Sequence, residues 1–228
     1  MAELIVALDV PAPDAAFRLL DRIPEARWVK VGPVLFTREG PSLVRRLRER
    51  GLSVFLDLKW HDIPNTVAGA VEAAVEEGVA LATVHTLGGV PMMAAAAEAA
   101  AGRVALVGVT VLTSHDRAGF EGVVGRPIDD LQVEVVRLAG AAAAAGLKGV
   151  VCSPHEIGVV RGALPAGAWV VVPGIRRAED AAGDQARTAG PGAAAAAGAT
   201  HLVVGRPILQ APDPAAAFRA MAREAAGA

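Results

Sequence analysis

Short, nearly uninterrupted runs of apolar and mostly β-branched residues recur along this chain, and between them apolar positions fall three and four residues apart. The first pattern predicts strands at residues 4–8, 28–31, 53–58, 82–85, 104–111, 149–152, 169–172 and 201–204. The second predicts helices at 14–21 through Phe17, Leu19 and Leu20, at 42–49 through Leu43, Val44 and Leu47, and at 67–77, 91–101 and 131–145. Weaker helical patterns follow Pro154 and Pro191. Strands that are apolar on both faces suit a parallel sheet covered by helices. Eight strand–helix units in 228 residues fit a closed (β/α)8 TIM barrel of the α/β class, one domain over 1–228. An open doubly wound sheet is the alternative. The turn after its first strand would be Asp9-Val10-Pro11, which has no glycine-rich phosphate loop.

Polar residues gather where the proposed strands end: Asp9, Lys30, Asp57, Lys59, His85, Thr113, Ser114, the stretch 173–176, and Gly205-Arg206. In a barrel these positions form the rim that carries catalysis. The densest run is Asp57-Leu58-Lys59-Trp60-His61-Asp62-Ile63-Pro64-Asn65-Thr66, which sets three charges, Asp57, Lys59 and Asp62, at the end of the apolar stretch 52–58. A regular strand over 54–59 places Asp57 and Lys59 on one face, with Asp62 just past the strand end. The lysines stand out, because among 22 basic residues only Lys30, Lys59 and Lys148 are not arginine. Lysine, unlike arginine, gives up a proton readily.

Each feature has a structural alternative. Asp62 precedes Pro64 and suits a helix cap, and Lys30 with Asp57 suits a structural ion pair. Adding Lys59 shifts the balance, since alternating buried charges are costly and are kept for chemistry. His61 and His85 are read as polar core groups, His115 as a loop residue, and His155 and His201 belong to no constellation.

Two glycine turns bear arginine: Pro173-Gly174-Ile175-Arg176 after the seventh strand and Gly205-Arg206-Pro207-Ile208 after the eighth. Glycine lets backbone N–H groups approach an anion, arginine adds a forked charged contact, and these two loops are the common phosphate site of barrels. Together they predict a phosphorylated ligand. The polar stretch 177–190, which contains Gln185, holds little core-forming material and reads as a mobile lid or a surface excursion.

Composition narrows the classes. A formal charge of −2, with 53% hydrophobic and 20% charged residues, describes a soluble globule without the basic excess that nucleic acids or anionic membranes require. No apolar run reaches a membrane-spanning length and Met1 leads straight into a strand, so the expected location is the cytoplasm. Cys152, the one cysteine, forms no internal disulfide and reads as a small buried apolar residue. Alanine runs at 94–97, 141–145 and 193–197 read as helix.

Taken in order, Ala7-Leu8-Asp9, Lys30-Val31-Gly32, the run 57–66, Leu112-Thr113-Ser114, Pro173-Gly174-Ile175-Arg176, Asp184-Gln185 and Val204-Gly205-Arg206-Pro207-Ile208 strongly resemble the orotidine 5'-phosphate decarboxylase family. The likeness runs from residue 4 to about 210. It implies conversion of orotidine 5'-phosphate to uridine 5'-phosphate (UMP) and carbon dioxide in de novo pyrimidine synthesis, with neither metal nor organic cofactor. By the same resemblance the catalytic residues are Lys30, Asp57, Lys59 and Asp62, with Lys59 stabilising the carbanion and supplying the proton. Asp62 and Thr66 are implied to come from the second subunit of a homodimer. Asp9 and Lys30 would hold ribose hydroxyls, and Thr113 would lie by the pyrimidine. Asp57, Ile63 and Pro173 complete the implied substrate contacts, with Gln185 reaching from the loop and Arg176, Gly205 and Arg206 on the phosphate. The departures are small: Trp60, Gly183 and the stretch 188–191.

Two other readings remain open at this stage. The shorter Asp-x-Lys-x-x-Asp core also occurs in magnesium-dependent enzymes acting on ketose phosphates, which need a carboxylate pair for the metal. Here the second strand ends in Lys30-Val31-Gly32, and Glu39 lies several residues beyond. The other reading is a barrel that only binds a nucleotide or sugar phosphate.

Overall fold

The computed structural model describes residues 2–177 and 188–227. Eight strands, β1 (Glu3–Ala7), β2 (Trp28–Val31), β3 (Ser53–Trp60), β4 (Leu81–His85), β5 (Ala105–Val109), β6 (Gly149–Val151), β7 (Trp169–Val172) and β8 (His201–Val204), pair in sequence order and all parallel. Pairing of β8 with β1 closes the barrel. The predicted architecture is correct. The predicted strand boundaries hold to within two residues at each end.

Helices fill the connections: α1 (Pro13–Arg22), α2 (Pro33–Glu39), α3 (Pro41–Glu49), α4 (Pro64–Glu76), α5 (Gly89–Ala100), α6 (Arg117–Val124), α7 (Leu131–Ala144), α8 (Ile157–Ala163), α9 (Pro191–Ala196), α10 (Arg206–Leu209) and α11 (Pro214–Ala226). Proline opens α1, α2, α3, α4, α9 and α11 and is second in α10, where its missing N–H leaves no bond unmade and its fixed φ suits the first turn. The predicted helices are all present. Those not anticipated, α2, α6, α10 and α11, are short or poor in large apolar residues: α2 buries only Leu35 and α6 only Phe120.

The apolar residues form two cores, which is why the strands read as continuous apolar runs. The larger lies between sheet and helices and takes in the apolar positions of α1, α3, α4, α5 and α7, such as Phe17, Leu43, Val71, Met92 and Leu138. The smaller fills the barrel interior with Ile5, Ala7, Phe55, Leu81, Val107, Val171 and Val203. Below it, at the strand beginnings, Trp28, Trp169 and His201 pack together, Trp28 edge to face on the other two rings and those two tilted at 42°, with centroids 4.3 to 6.3 Å apart. His201, which the sequence tied to no constellation, is therefore part of the barrel floor: it is 4% exposed, and Thr200 Oγ1 lies 2.9 Å from its Nδ1. Burial pushes its pKa down to about 4. With apolar side chains plugging the lower barrel, the charged groups that point inward gather at its C-terminal end. Cys152 is buried as expected.

Candidate active site

At the C-terminal mouth a cavity of about 610 Å³ opens, within the range of roughly 300–1,000 Å³ usual for small-molecule sites. The predicted residues Asp9, Lys30, Asp57, Lys59, Thr113, Pro173, Arg176, Gly205 and Arg206 all line it. They come from six different strands or the loops that follow them, so no local segment could have assembled the site.

Four of these side chains form one alternating row. Lys30 Nζ lies 2.8 Å from Asp9 Oδ1 and 3.7 Å from Asp57 Oδ2, and Asp57 Oδ1 lies 2.8 Å from Lys59 Nζ. The inner members are well shielded, with the Lys30 and Asp57 side chains 11% and 14% exposed, whereas Lys59 is 37% exposed toward the cavity. Charges this deep are tolerated because each faces an opposite one, and breaking one pair would strand its partner. Gly32 makes room for the row: a methyl group there would stand 3.2 Å from Lys30 Nζ and 3.4 Å from Asp9 Oδ1.

Strand alternation accounts for Asp57 but not for Lys59. Between β3 and β4 the register passes from Leu56↔Ala82 to Trp60↔Val84, so β3 spends two extra residues there. Lys59 has φ 53°, in the left-handed region that L-residues avoid at a cost of about 1–2 kcal/mol. The Lys59 backbone N–H donates to Thr83 Oγ1 at 2.8 Å. The Lys59 ammonium thus reaches Asp57 from a bulge, not from a regular strand as expected.

The opposite wall carries the two arginine loops. Gly174 has φ 79°, a conformation glycine adopts without strain, and turns the chain so that Ile175 and Arg176 line the cavity. Arg176 N–H donates to Ala189 O at 3.0 Å, tying the base of the loop. Gly205 and Arg206 close the other side at the start of α10. One wall thus carries two arginines, and the floor holds the ion row.

Three of the predicted residues do not join them in this chain. Asp62, Ile63 and Thr66 are exposed on the rim, Ile63 by 67%. Asp62 does not cap α4: Ile63 holds the N-cap position, and Asp62 Oδ1 only accepts the N–H of Ile63 at 2.6 Å. His61 is also exposed and not a core group; its ring stacks on that of His85, with centroids 5.5 Å apart. His85 is half-buried and accepts the Leu87 N–H, and burial with the nearby His61, Lys59 and His115 pushes its pKa down to about 4. His115 lies in a loop, as expected. Gln185, and with it most of the stretch 177–190, lies outside the described residues. Among the described residues no three His, Cys, Asp or Glu side chains converge as metal ligands, and no helix is long and apolar enough to cross a membrane.

Residues 2–221 match the model of the orotidine 5'-phosphate decarboxylase / HUMPS family. The chain belongs to that family. It is 54% identical over 231 residues to the orotidine 5'-phosphate decarboxylase of Halorhodospira halophila, covering 99% of this chain and 96% of that protein. A decarboxylase of the same name from Anaeromyxobacter sp. strain K is 50% identical, with 96% of each chain covered. Among solved structures, the orotidine 5'-phosphate decarboxylase of Lactobacillus acidophilus superposes with a TM-score of 0.87 at 33% identity over 99% of both chains. The family resemblance drawn from the sequence is correct. Thr83, fully buried beneath Lys59, is the polar residue that the sequence reading missed. It sits on the same inward face as Leu81 in β4, and strand period alone would have pointed to it.

Proposed function

We propose that this chain decarboxylates orotidine 5'-phosphate to UMP and carbon dioxide, the reaction named for its relatives. The observation that carries the reading is the Asp57–Lys59 contact of 2.8 Å at the floor of a cavity whose other wall holds Arg176, Gly205 and Arg206. When the C6–carboxylate bond breaks, its electron pair stays in an in-plane orbital at C6, where no ring carbonyl accepts it well. A fixed cation beside C6 is the available stabiliser, and the Lys59 ammonium is such a group. Its proton passes to C6, giving UMP, and the neutral amine regains a proton from water. Asp57 lies against the substrate carboxylate and holds Lys59 in line. Lys30 and Asp9 take the ribose hydroxyls, Thr113 and Pro173 flank the base, and Gln185 reaches in from its loop.

Arg176, Gly205 and Arg206 hold the phosphate far from the bond that breaks. Binding there positions the ring and lowers the barrier rather than only tightening the ground state. Asp62, Ile63 and Thr66 serve the site of a second copy, which makes the active unit a homodimer; their exposure on one rim supports that reading.

The family's ketose-phosphate chemistry fits less well. A dication would need free carboxylates, but Asp9 and Asp57 both face the Lys30 ammonium, and Glu39 ends α2 away from the cavity lining. The test is the fall in ultraviolet absorbance of orotidine 5'-phosphate with purified protein in chelator, beside Lys59→Ala. Rapid loss by the wild type and none by the variant is expected. No turnover by a folded wild type would refute the reading and point to ketose phosphates with magnesium.

A further inference from the structure

Thr83 sits at the middle of β4, fully buried, pointing into the barrel below the ion row. It does not line the cavity, so it does not touch a ligand there. Its hydroxyl nevertheless bonds both halves of the Asp57–Lys59 pair. Oγ1 accepts the Lys59 backbone N–H at 2.8 Å, and its O–H donates to Asp57 Oδ1 at 3.1 Å. A hydroxyl has one proton to give and two lone pairs to receive with, so both bonds form at once.

Both bonds answer a need created by the bulge. The register shift between Leu56 and Trp60 takes Lys59 out of the β3–β4 ladder, so its N–H lacks the carbonyl that a regular strand would offer. Lys59 also occupies a left-handed conformation, φ 53°, which persists only where surrounding contacts over-determine it. The Thr83 hydroxyl fixes the Lys59 backbone from below, while its proton fixes the Asp57 oxygen that the Lys59 ammonium also holds at 2.8 Å. The three groups make a closed triangle with one vertex buried.

We infer that Thr83 is a positioning residue for the reaction: its hydroxyl pins the Lys59 backbone and the Asp57 carboxylate together, and so sets where the ammonium stands beside the reacting carbon. This rests on the decarboxylase reading for its substrate, but the triangle itself is independent of it. Thr83→Val has nearly the same shape and lacks the hydroxyl; Thr83→Ser keeps the hydroxyl and loses only a methyl group.

The experiment measures kcat and KM for orotidine 5'-phosphate, the Kd of UMP, and hydrogen exchange at the Lys59 amide, for wild type and both variants. Thr83→Val is expected to lose roughly 10- to 100-fold in kcat, the scale of a misplaced reacting group, while KM and the Kd of UMP change less than about threefold. Its Lys59 amide should exchange at least about tenfold faster, because the protecting acceptor is gone. Thr83→Ser should restore both values to within about threefold of wild type, which lost packing alone does not predict. The proposal is overturned by a Thr83→Val protein with wild-type kcat, by equal losses of turnover and UMP binding in both variants, or by unchanged Lys59 exchange. If Thr83→Val does not fold, Thr83→Ala replaces it with the same expectations. A wild type that fails to turn over the substrate refutes the decarboxylase reading alone, and amide exchange then still decides the role of Thr83.

Discussion

Acid should weaken this fold through His201 before its carboxylates titrate. The imidazole is 4% exposed, packed between Trp28 and Trp169, with the Thr200 hydroxyl 2.9 Å from its Nδ1. Burial lowers its pKa from 6.5 to about 4, so between those values the unfolded chain binds a proton that the folded one refuses. A folded-state pKa below the unfolded one leaves stability intact above pH 6.5 and removes it as pH falls toward 4. Integrating the difference in bound protons gives a loss of about 2 kcal/mol between pH 8 and pH 5, and about 3 kcal/mol by pH 4. His201→Gln keeps a side chain able to bond Thr200 but does not ionise. At pH 8 it should be the less stable protein by about 1 kcal/mol, having lost the aromatic contacts. Urea unfolding of both proteins at pH 8 and pH 5 provides the check. The wild type should lose about 2 kcal/mol more than the variant over that interval, and groups common to both, His85 included, cancel in the comparison. Parallel stability curves would refute the argument.

Arg206→Ala should lower kcat/KM about 100-fold or more, and added phosphite should partly restore turnover of a phosphate-free nucleoside by the wild type but not by the variant. Gly32→Ala brings a methyl group to 3.2 Å from Lys30 Nζ, so steady-state kinetics should show KM rising about tenfold with stability nearly unchanged. Lys59→Ala and Asp62→Ala should each be inactive alone, yet an equimolar mixture refolded together should regain about a quarter of wild-type activity. Half of its dimers then carry one intact site of two, and no recovery would refute the shared site.

Much of this is legible in the sequence, and the reason is periodicity. The strands of a parallel barrel are buried on both faces, so Val, Ile and Leu cluster in short runs that stand out against helical spacing. The closed order then follows from short connections. The rim residues were legible because charges at strand ends contradict that pattern. Helix α6 was not, since a segment with Phe120 as its one buried residue leaves no stripe to read. The exposure of His61 was missed because a histidine beside an apolar strand resembles a core group, and only the turn after β3 carries it outward. The bulge at Lys59 escaped for a different reason: no glycine marks it, and the residue bearing the left-handed angle is the lysine itself.

That last point ties the chemistry to the fold. Arginine would keep a cation but not one that gives up its proton readily, and glycine, which would relieve the backbone, would lose the cation altogether. The site therefore keeps an unfavourable angle of about 1–2 kcal/mol because a regular strand would leave the ammonium elsewhere. The surrounding structure sustains it through contacts from three directions: the Thr83 hydroxyl on the backbone, Asp57 on the side chain, and the rejoined ladder at Trp60↔Val84. Asp57 is in turn held by Lys30, and Lys30 by Asp9. The ion row thus extends the rigidity of β1 and β2 to a residue on a distorted end of β3. In the proposed mechanism this cation stabilises a charge appearing only in the transition state and gains most from being fixed beforehand; in this chain the fixing is distributed over four strands.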